Sequence, residues 1–245
     1  MWVPRWLGEA YSRLYVKFGR EPFGLREVQE TLNVSYEKSR VVVHHLHKRG
    51  LILVFERRRP RTYRLLSPEN FILIASGKVQ RVEVAQERYV QLIYDCFRSV
   101  DRLVDLVSFV VYGSVARGEA SSTSDLDLLV ISDDFEGSLG ERVELLVGRV
   151  RRDVKEELEF LRRNGYYTPL SFYPLRREEA RRTPLLMLDM VEDAVVVYDE
   201  EGFFEKLIEA LRERLAELGA VRVRGRRGLY WDLKPDYRPL EVIHL

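Results

Sequence analysis

Two aspartates set two residues apart, Asp125 and Asp127, sit at the start of an apolar run, Ser124-Asp125-Leu126-Asp127-Leu128-Leu129-Val130-Ile131, that reads as a buried strand. Side chains alternate across a strand, so both carboxylates project from one face while Leu126 and Leu128 turn into the core. Carboxylates this close repel unless a cation lies between them, and a hard divalent ion such as Mg²⁺ with oxygen ligands suits the pair. Eleven residues before Asp125 another apolar strand, Val107 to Tyr112, ends at Gly113-Ser114. Gly113 permits a sharp turn and a close approach of phosphate to the backbone. Ser114 adds a hydroxyl and an amide, and a helix starting here aims unpaired N–H groups at an anion. Arg117 can add a bidentate contact to the same anion.

A glycine-serine turn followed by an Asp-x-Asp strand resembles the nucleotidyltransferase superfamily that includes DNA polymerase β, kanamycin nucleotidyltransferase and the minimal nucleotidyltransferases of bacteria and archaea. Gly113, Ser114, Arg117, Gly118, Ser124, Asp125 and Asp127 match the form used by the minimal group. The resemblance implies a mixed sheet with flanking helices and a nucleoside triphosphate held by Gly113 and Ser114, with Arg117 and Ser124 beside it. It also implies Mg²⁺ bridging Asp125, Asp127 and the phosphates. In such enzymes an acceptor hydroxyl attacks the α-phosphate and pyrophosphate leaves.

That mechanism ordinarily uses a third carboxylate on a later strand, and here the sequence departs from the pattern. The next strand candidate, Tyr167 to Tyr173, holds no acid, and Ser171 or a neighbour on its face stands where one is expected. Glu178 and Glu179 read better as residues opening a helix and balancing its dipole. Asp232 and Asp236 are remote in sequence, and Lys234, before Pro235, reads as solvated rather than as a triphosphate ligand.

The elements that must position these residues follow from periodicity. A helix from about Val84 to Val104 precedes the first strand, a helix from about Gly140 to Arg163 follows the second, and Phe203 to Leu218 forms an amphipathic helix stopped by Gly219. An apolar helix-like run, Leu185 to Val191, a strand Ala194 to Tyr198, and a strand pair around Val221 and Leu229 complete this part.

The first 80 residues have a different character. They carry 15 basic and 7 acidic side chains, a surplus that the remaining residues offset almost completely, because the whole chain has 40 basic against 39 acidic groups. Helical spacing over residues 9–18, 25–32 and 35–50 is followed by a hairpin, Leu51 to Phe55 and Thr62 to Leu66, around the loop Glu56-Arg57-Arg58-Arg59-Pro60-Arg61. Three helices and a basic hairpin resemble a winged helix-turn-helix domain. A third helix turning Arg40, His44, His47 and Lys48 outward can lie in a major groove, while Arg57, Arg58, Arg59 and Arg61 reach flanking phosphates. A winged helix that serves only as a protein-protein module is the bland alternative. His44, His45 and His47 lack the cysteine or carboxylate company of a zinc site.

The expected fold class is α+β, a winged helix-turn-helix over 1–80 followed by a nucleotidyltransferase-fold mixed sheet over 81–245, the whole resembling archaeal proteins of this build. With 245 residues, one cysteine and no apolar run long enough to cross a bilayer, a soluble cytoplasmic protein without disulfides is expected. Few asparagines and glutamines hint at a thermophilic source. The expected activity is Mg²⁺-dependent transfer of a nucleoside monophosphate from a nucleoside triphosphate to a hydroxyl acceptor, coupled to double-stranded DNA binding. The acceptor is open between a small molecule, an RNA end and a protein hydroxyl, as in the antitoxin branch that adenylylates a toxin. The competing expectation is a DNA-binding regulator whose transferase domain only senses nucleotide. A homodimer fits paired half-sites, but no residue pattern fixes it.

Overall fold

The computed structural model describes residues 3–225 and 228–236. The chain begins with three helices, α1 (Arg5–Phe18), α2 (Leu25–Leu32) and α3 (Tyr36–Lys48), and the hairpin β1 (Ile52–Glu56) and β2 (Thr62–Leu65). Asn33, with φ +52°, makes the tight turn between α2 and α3, and the Ser35 hydroxyl accepts the Lys38 N–H to start α3. Leu7, Leu14, Val28, Leu46 and Ile52 close a core between these elements, so each helix is held by its apolar stripe rather than by local propensity.

A second body follows, with α4 (Pro68–Ala75), α5 (Val90–Val100), β3 (Ser108–Tyr112), α6 (Gly113–Arg117), β4 (Leu126–Ile131), α7 (Leu139–Asp153), α8 (Lys155–Arg163), β5 (Leu170–Leu175), α9 (Arg177–Arg181), β6 (Val195–Asp199), α10 (Phe203–Leu218), and a hairpin β7 (Val221–Gly225) and β8 (Gly228–Asp232). Its central sheet has the order β5-β4-β3-β6, with β4 and β5 parallel and β3 antiparallel to both β4 and β6. One face, with Phe109, Val111, Leu126, Leu128 and Phe172, packs against α5, α7 and α8. The other, with Val110, Tyr112, Leu129 and Ile131, is covered by α10 and the turn Leu185–Met190. A mixed sheet clad in helices is what the sequence led us to expect.

Several boundaries differ from that expectation for identifiable reasons. Residues 67–85 are more than a bridge, because Ser67 caps α4 by accepting the Asn70 N–H. The helix expected from Val84 begins only with a 3₁₀ turn at Glu87–Tyr89, since the preceding stretch is tied in extended form: Gln80 N–H donates to Val197 O, and the Gln86 amide bonds both backbone groups of Ala120. The single helix expected over 140–163 is broken at Val154, which lets α8 turn Glu157 and Phe160 toward β2. The strand expected at 167–173 is shifted to β5, after Pro169, and Pro174 is tolerated because β5 is a sheet edge. The run at Leu185 is a 3₁₀ segment ending at Met190.

Polar bonds join the two bodies. Arg64 of β2 and Glu157 of α8 pair through two hydrogen bonds of 2.5 and 2.6 Å with neither side chain exposed. The Glu87 carboxylate accepts the Val54 N–H at 2.7 Å and lies 2.9 Å from His47 Nε2. Arg88 reaches Glu56 at 3.1 Å, and the Tyr166 hydroxyl bonds both.

Candidate active site

The antiparallel pairing of β3 with β4 sets Tyr112 opposite Asp127, so the residue that follows β3 meets the start of β4. That residue is Gly113, at φ +71°, where a Cβ would stand 2.2 Å from Asp127 Oδ2. Two independent demands therefore require glycine: a backbone conformation that side chains resist, and the space occupied by the carboxylate. Gly113 also opens α6, whose first-turn N–H groups have no partner within the helix. Glycine turn, the start of α6 and the Asp127 carboxylate thus lie side by side.

Asp127 is half-buried on β4, whereas Asp125 is exposed and precedes the strand, which starts at Leu126. Burial raises the Asp127 carboxyl above its ordinary range; the Ser171 hydroxyl donates to it and Arg117 opposes the rise, while the charges of Asp125 and Asp189 add to it. Tyr112, beside Asp127, is likewise pushed up by burial and by the charges of Asp127, Tyr173 and Asp189. A positive ion between Asp125 and Asp127 relieves this repulsion, and the donor set, two hard carboxylates with one open to solvent, fits Mg²⁺. Among the described residues no third histidine, cysteine or acid completes a three-ligand metal group.

Ser171 is the residue of β5 directly beside Asp127 in the parallel register. The place where the motif leads one to look for a third acid is therefore filled by a hydroxyl bonded to the second. Glu179 is committed elsewhere, to Arg142 at 2.6 and 3.0 Å and to the Arg176 N–H at 2.8 Å. Glu178 is exposed on α9, and Asp232 ends β8 opposite Val221. Asp189, which the sequence reading passed over inside an apolar run, is the additional acid whose charge reaches Asp127 and Tyr112. Its only signal in the sequence is that it interrupts the run Leu185-Leu-Met-Leu-Asp-Met-Val191 with a charge.

The remaining motif residues shape the rim. Ser124 Oγ accepts the Ser121 N–H at 2.8 Å and holds the loop before Asp125. Glu119, on the loop after α6, takes Arg117 Nε at 3.4 Å and Arg224 Nη2 at 2.9 Å, so the β7–β8 hairpin brings an arginine to the Gly113–Gly118 turn. Arg224 was not singled out from sequence, because 105 residues separate it from its partner.

On the first body, Arg40, His44 and Lys48 lie exposed along α3, as do Arg57, Arg58, Arg59 and Arg61 in the hairpin loop. His47 is only partly exposed, and its ring nitrogen is taken. It is turned onto Glu87, because the 3₁₀ turn at Glu87 packs against β1 and offers the α3 ring a carboxylate. A cleft of about 700 Å³ between the start of α2 and the hairpin is lined by Arg26, Tyr36, Arg57, Arg59 and Arg61 among others.

The family described as Nucleotidyltransferase domain matches residues 73–184, which span α5 through α9 and contain Gly113, Ser114, Asp125 and Asp127. A protein of Methanocaldococcus jannaschii described as "Putative protein adenylyltransferase" is 30% identical over 109 residues, 44% of this chain and 69% of that protein. A solved structure titled "Crystal structure of the toxin-antitoxin with AMP-PNP" covers 52% of this chain and 92% of its own at 15% identity, with a TM-score of 0.33, a likeness too slight to carry an argument. Glycine turn, paired aspartates and the shared sequence together make the chain a member of the nucleotidyltransferase domain family.

Proposed function

We propose that the protein is a Mg²⁺-dependent nucleotidyltransferase that moves a nucleoside monophosphate from a nucleoside triphosphate to a hydroxyl. The observation that carries this reading is the close approach of Gly113 to Asp127 Oδ2, which only a residue without a Cβ permits and which sets the turn opening α6 directly against the carboxylate of the Asp-x-Asp pair. Asp125 and Asp127 would hold the ion, which neutralises phosphate charge as the bond order changes. The amides of Gly113 and Ser114 receive the triphosphate, and Arg117 stands by to neutralise it. The acceptor oxygen bonds to the α-phosphorus, the bond from that phosphorus to the bridging oxygen breaks, and pyrophosphate leaves with the electron pair. The hydroxyl proton passes to solvent, since Ser171 cannot take it. Description of the Methanocaldococcus jannaschii relative as a protein adenylyltransferase makes ATP the first nucleotide to try and a protein hydroxyl the first acceptor.

The test is transfer of label from α-labelled ATP in Mg²⁺ to a co-purified partner or to the chain itself, with Asp127→Asn as control. Loss of label in the variant supports the reading. Absence of transfer in the unaltered protein, with nucleotide binding still weakened by Asp125→Asn, replaces it with the nucleotide-sensor reading, which the hydroxyl at Ser171 favours.

The first body reads as a winged helix that binds double-stranded DNA, supported by the outward row Arg40, His44, Lys48 and the exposed arginines at 57, 58, 59 and 61. Binding that weakens steeply with salt and loses slope when Arg57, Arg58 and Arg59 become alanine supports this, by roughly 0.9 in log–log slope per phosphate contact removed. A salt-insensitive or absent interaction removes DNA from the partners. No described helix is long and apolar enough to cross a membrane.

A further inference from the structure

A second cleft, of about 650 Å³, opens between the α7–α8 corner and the segment entering β5. We infer that it docks a short acidic peptide segment of a partner protein. Its rim carries Arg151, Arg152 and Arg162, none of which is ion-paired with a described residue, and Lys155, which is only 3.7 Å from Glu159. Glu159 also lines the cleft, but four cations against one acid leave it cationic, and the three arginines form a site for carboxylates, which guanidinium groups bind in a two-pronged fashion. The floor is apolar, with Val147, Leu158 and Leu170, so a segment that alternates acidic and aliphatic side chains matches it on both counts. Gly148, inside α7, has no atom within 4 Å of where its Cβ would stand, although glycine in a helix interior costs about 1 kcal/mol relative to alanine. That opening lets a peptide backbone approach the helix directly.

A nucleic-acid strand fits less well. Stacking platforms present successive aromatic rings, and the cleft offers only Tyr167, 59% exposed and in no ring pair among the described residues. Residues 81–245 also carry a net negative charge, which repels a long polyanion outside the cleft.

The cleft is joined to the candidate active site through backbone bonds. Tyr167 N–H donates to Ser122 O at 2.8 Å, and Leu126 N–H donates to Pro169 O at 2.8 Å, so its wall is fastened to the loop that carries Ser124 and Asp125. A docked segment therefore lies at the end of the sheet where β4 and β5 begin, on the face of Leu126 and Leu170, and a hydroxyl of the partner beyond the segment would reach the site by passing around that end of the sheet. The inference depends on the proposed function for the purpose of docking, not for the docking itself.

The test is fluorescence anisotropy of the full chain with a labelled peptide alternating glutamate and leucine, its lysine counterpart, and oligouridylate. The glutamate peptide should bind, weaken with salt, and lose affinity by about tenfold or more in Arg151→Glu with Arg152→Glu. The lysine peptide should bind that charge-reversed variant better than the unaltered protein, which a misfolded variant cannot do. Alanine at Arg57, Arg58 and Arg59 should leave peptide binding unchanged. No peptide binding, equal binding by the reversed variant, or tighter oligouridylate binding lost with the same arginines overturns the inference. Nucleotide binding is measured separately: Asp127→Asn that loses ATP yet keeps the peptide bears on the activity alone.

Discussion

Arg64 and Glu157 lie 93 residues apart and meet as a fully buried two-pronged ion pair, with the Arg64 guanidinium 4.0 Å over the Phe160 ring. Burying two charges is costly, and their attraction repays it only while both are present. Glu157→Gln leaves an uncompensated guanidinium whose Nε already has no partner, and it should destabilise the protein by about 3–5 kcal/mol. Replacing both, with Arg64→Met and Glu157→Leu, should cost much less, because no unpaired charge remains. Urea unfolding of the two variants checks the difference. Equal losses would show that packing around Phe160, not charge, holds β2 to α8.

Glu87 makes the second junction between the bodies titratable. Burial alone would raise its carboxyl, but the hydrogen bonds from His47 and the Val54 N–H, with the charges of His47 and Arg57, bring it below its ordinary value of 4.5. An acid whose native value is depressed adds stability that is complete above its unfolded value and disappears as pH falls through the native one. The unaltered protein should therefore exceed Glu87→Gln in stability by about 1 kcal/mol at neutral pH, and the gap should close as pH falls below about 4.5. Urea midpoints of both proteins across that range are the measurement. A gap that persists in acid assigns the effect to the neutral hydrogen bond.

Gly113→Ala tests the geometry of the candidate site without touching a charge. The new methyl must displace Asp127 Oδ2, 2.2 Å from its position, and the backbone must keep φ +71°. The left-handed conformation alone costs about 1–2 kcal/mol for a residue with a side chain. Nucleotide binding should fall by more than the stability loss explains, since the carboxylate is moved as well. Calorimetric titration with ATP and Mg²⁺ beside thermal unfolding separates the two. Unchanged ATP affinity would remove Gly113 and Asp127 from the nucleotide site.

The central motif was legible because it is local: Gly113-Ser114 lies in one turn and Asp125-x-Asp127 spans the entry into β4, although Asp125 precedes the strand on which alternation places Asp127. The α1–α3 and β1–β2 order was legible for the same reason. What escaped was set by contacts between distant residues. His47 reads as a free outward cation, whereas Glu87, 40 residues on, takes its ring nitrogen. Glu179 was read as opening a helix, as it does in α9, but its pairing with Arg142, 37 residues away, was not visible. Asp189, Arg224 and the cleft beside Tyr167 depend on how 3₁₀ turns and helix corners pack, which periodicity does not encode. The break at Val154 was hidden because both halves of the 140–163 stretch keep the same helical spacing.

Ser171→Asp asks whether one substitution restores the missing acid. Ser171 is the β5 partner of Asp127, so the new carboxylate stands on the same face of the sheet as Asp127. Asp127 is already raised by burial and by the charges of Asp125 and Asp189, and the substitution also removes the hydroxyl that stabilises its ionised form. Without a divalent ion the variant should therefore unfold at a lower temperature than the unaltered protein. With Mg²⁺ the three carboxylates share a cation, and the stabilisation by the ion should exceed that seen in the unaltered protein, growing with concentration as binding linkage requires. Label transfer from ATP should rise in the same variant, because a carboxylate beside Asp127 can accept the proton of the acceptor hydroxyl, a role that contributes roughly 10²–10⁴-fold in rate. Melting curves with and without Mg²⁺, read beside label transfer, give three outcomes. Stabilisation with faster transfer supports a transferase slowed by its serine, and stabilisation without transfer favours the nucleotide sensor. Loss of stability that Mg²⁺ fails to recover means that the face of Asp127 and Ser171 does not hold the ion.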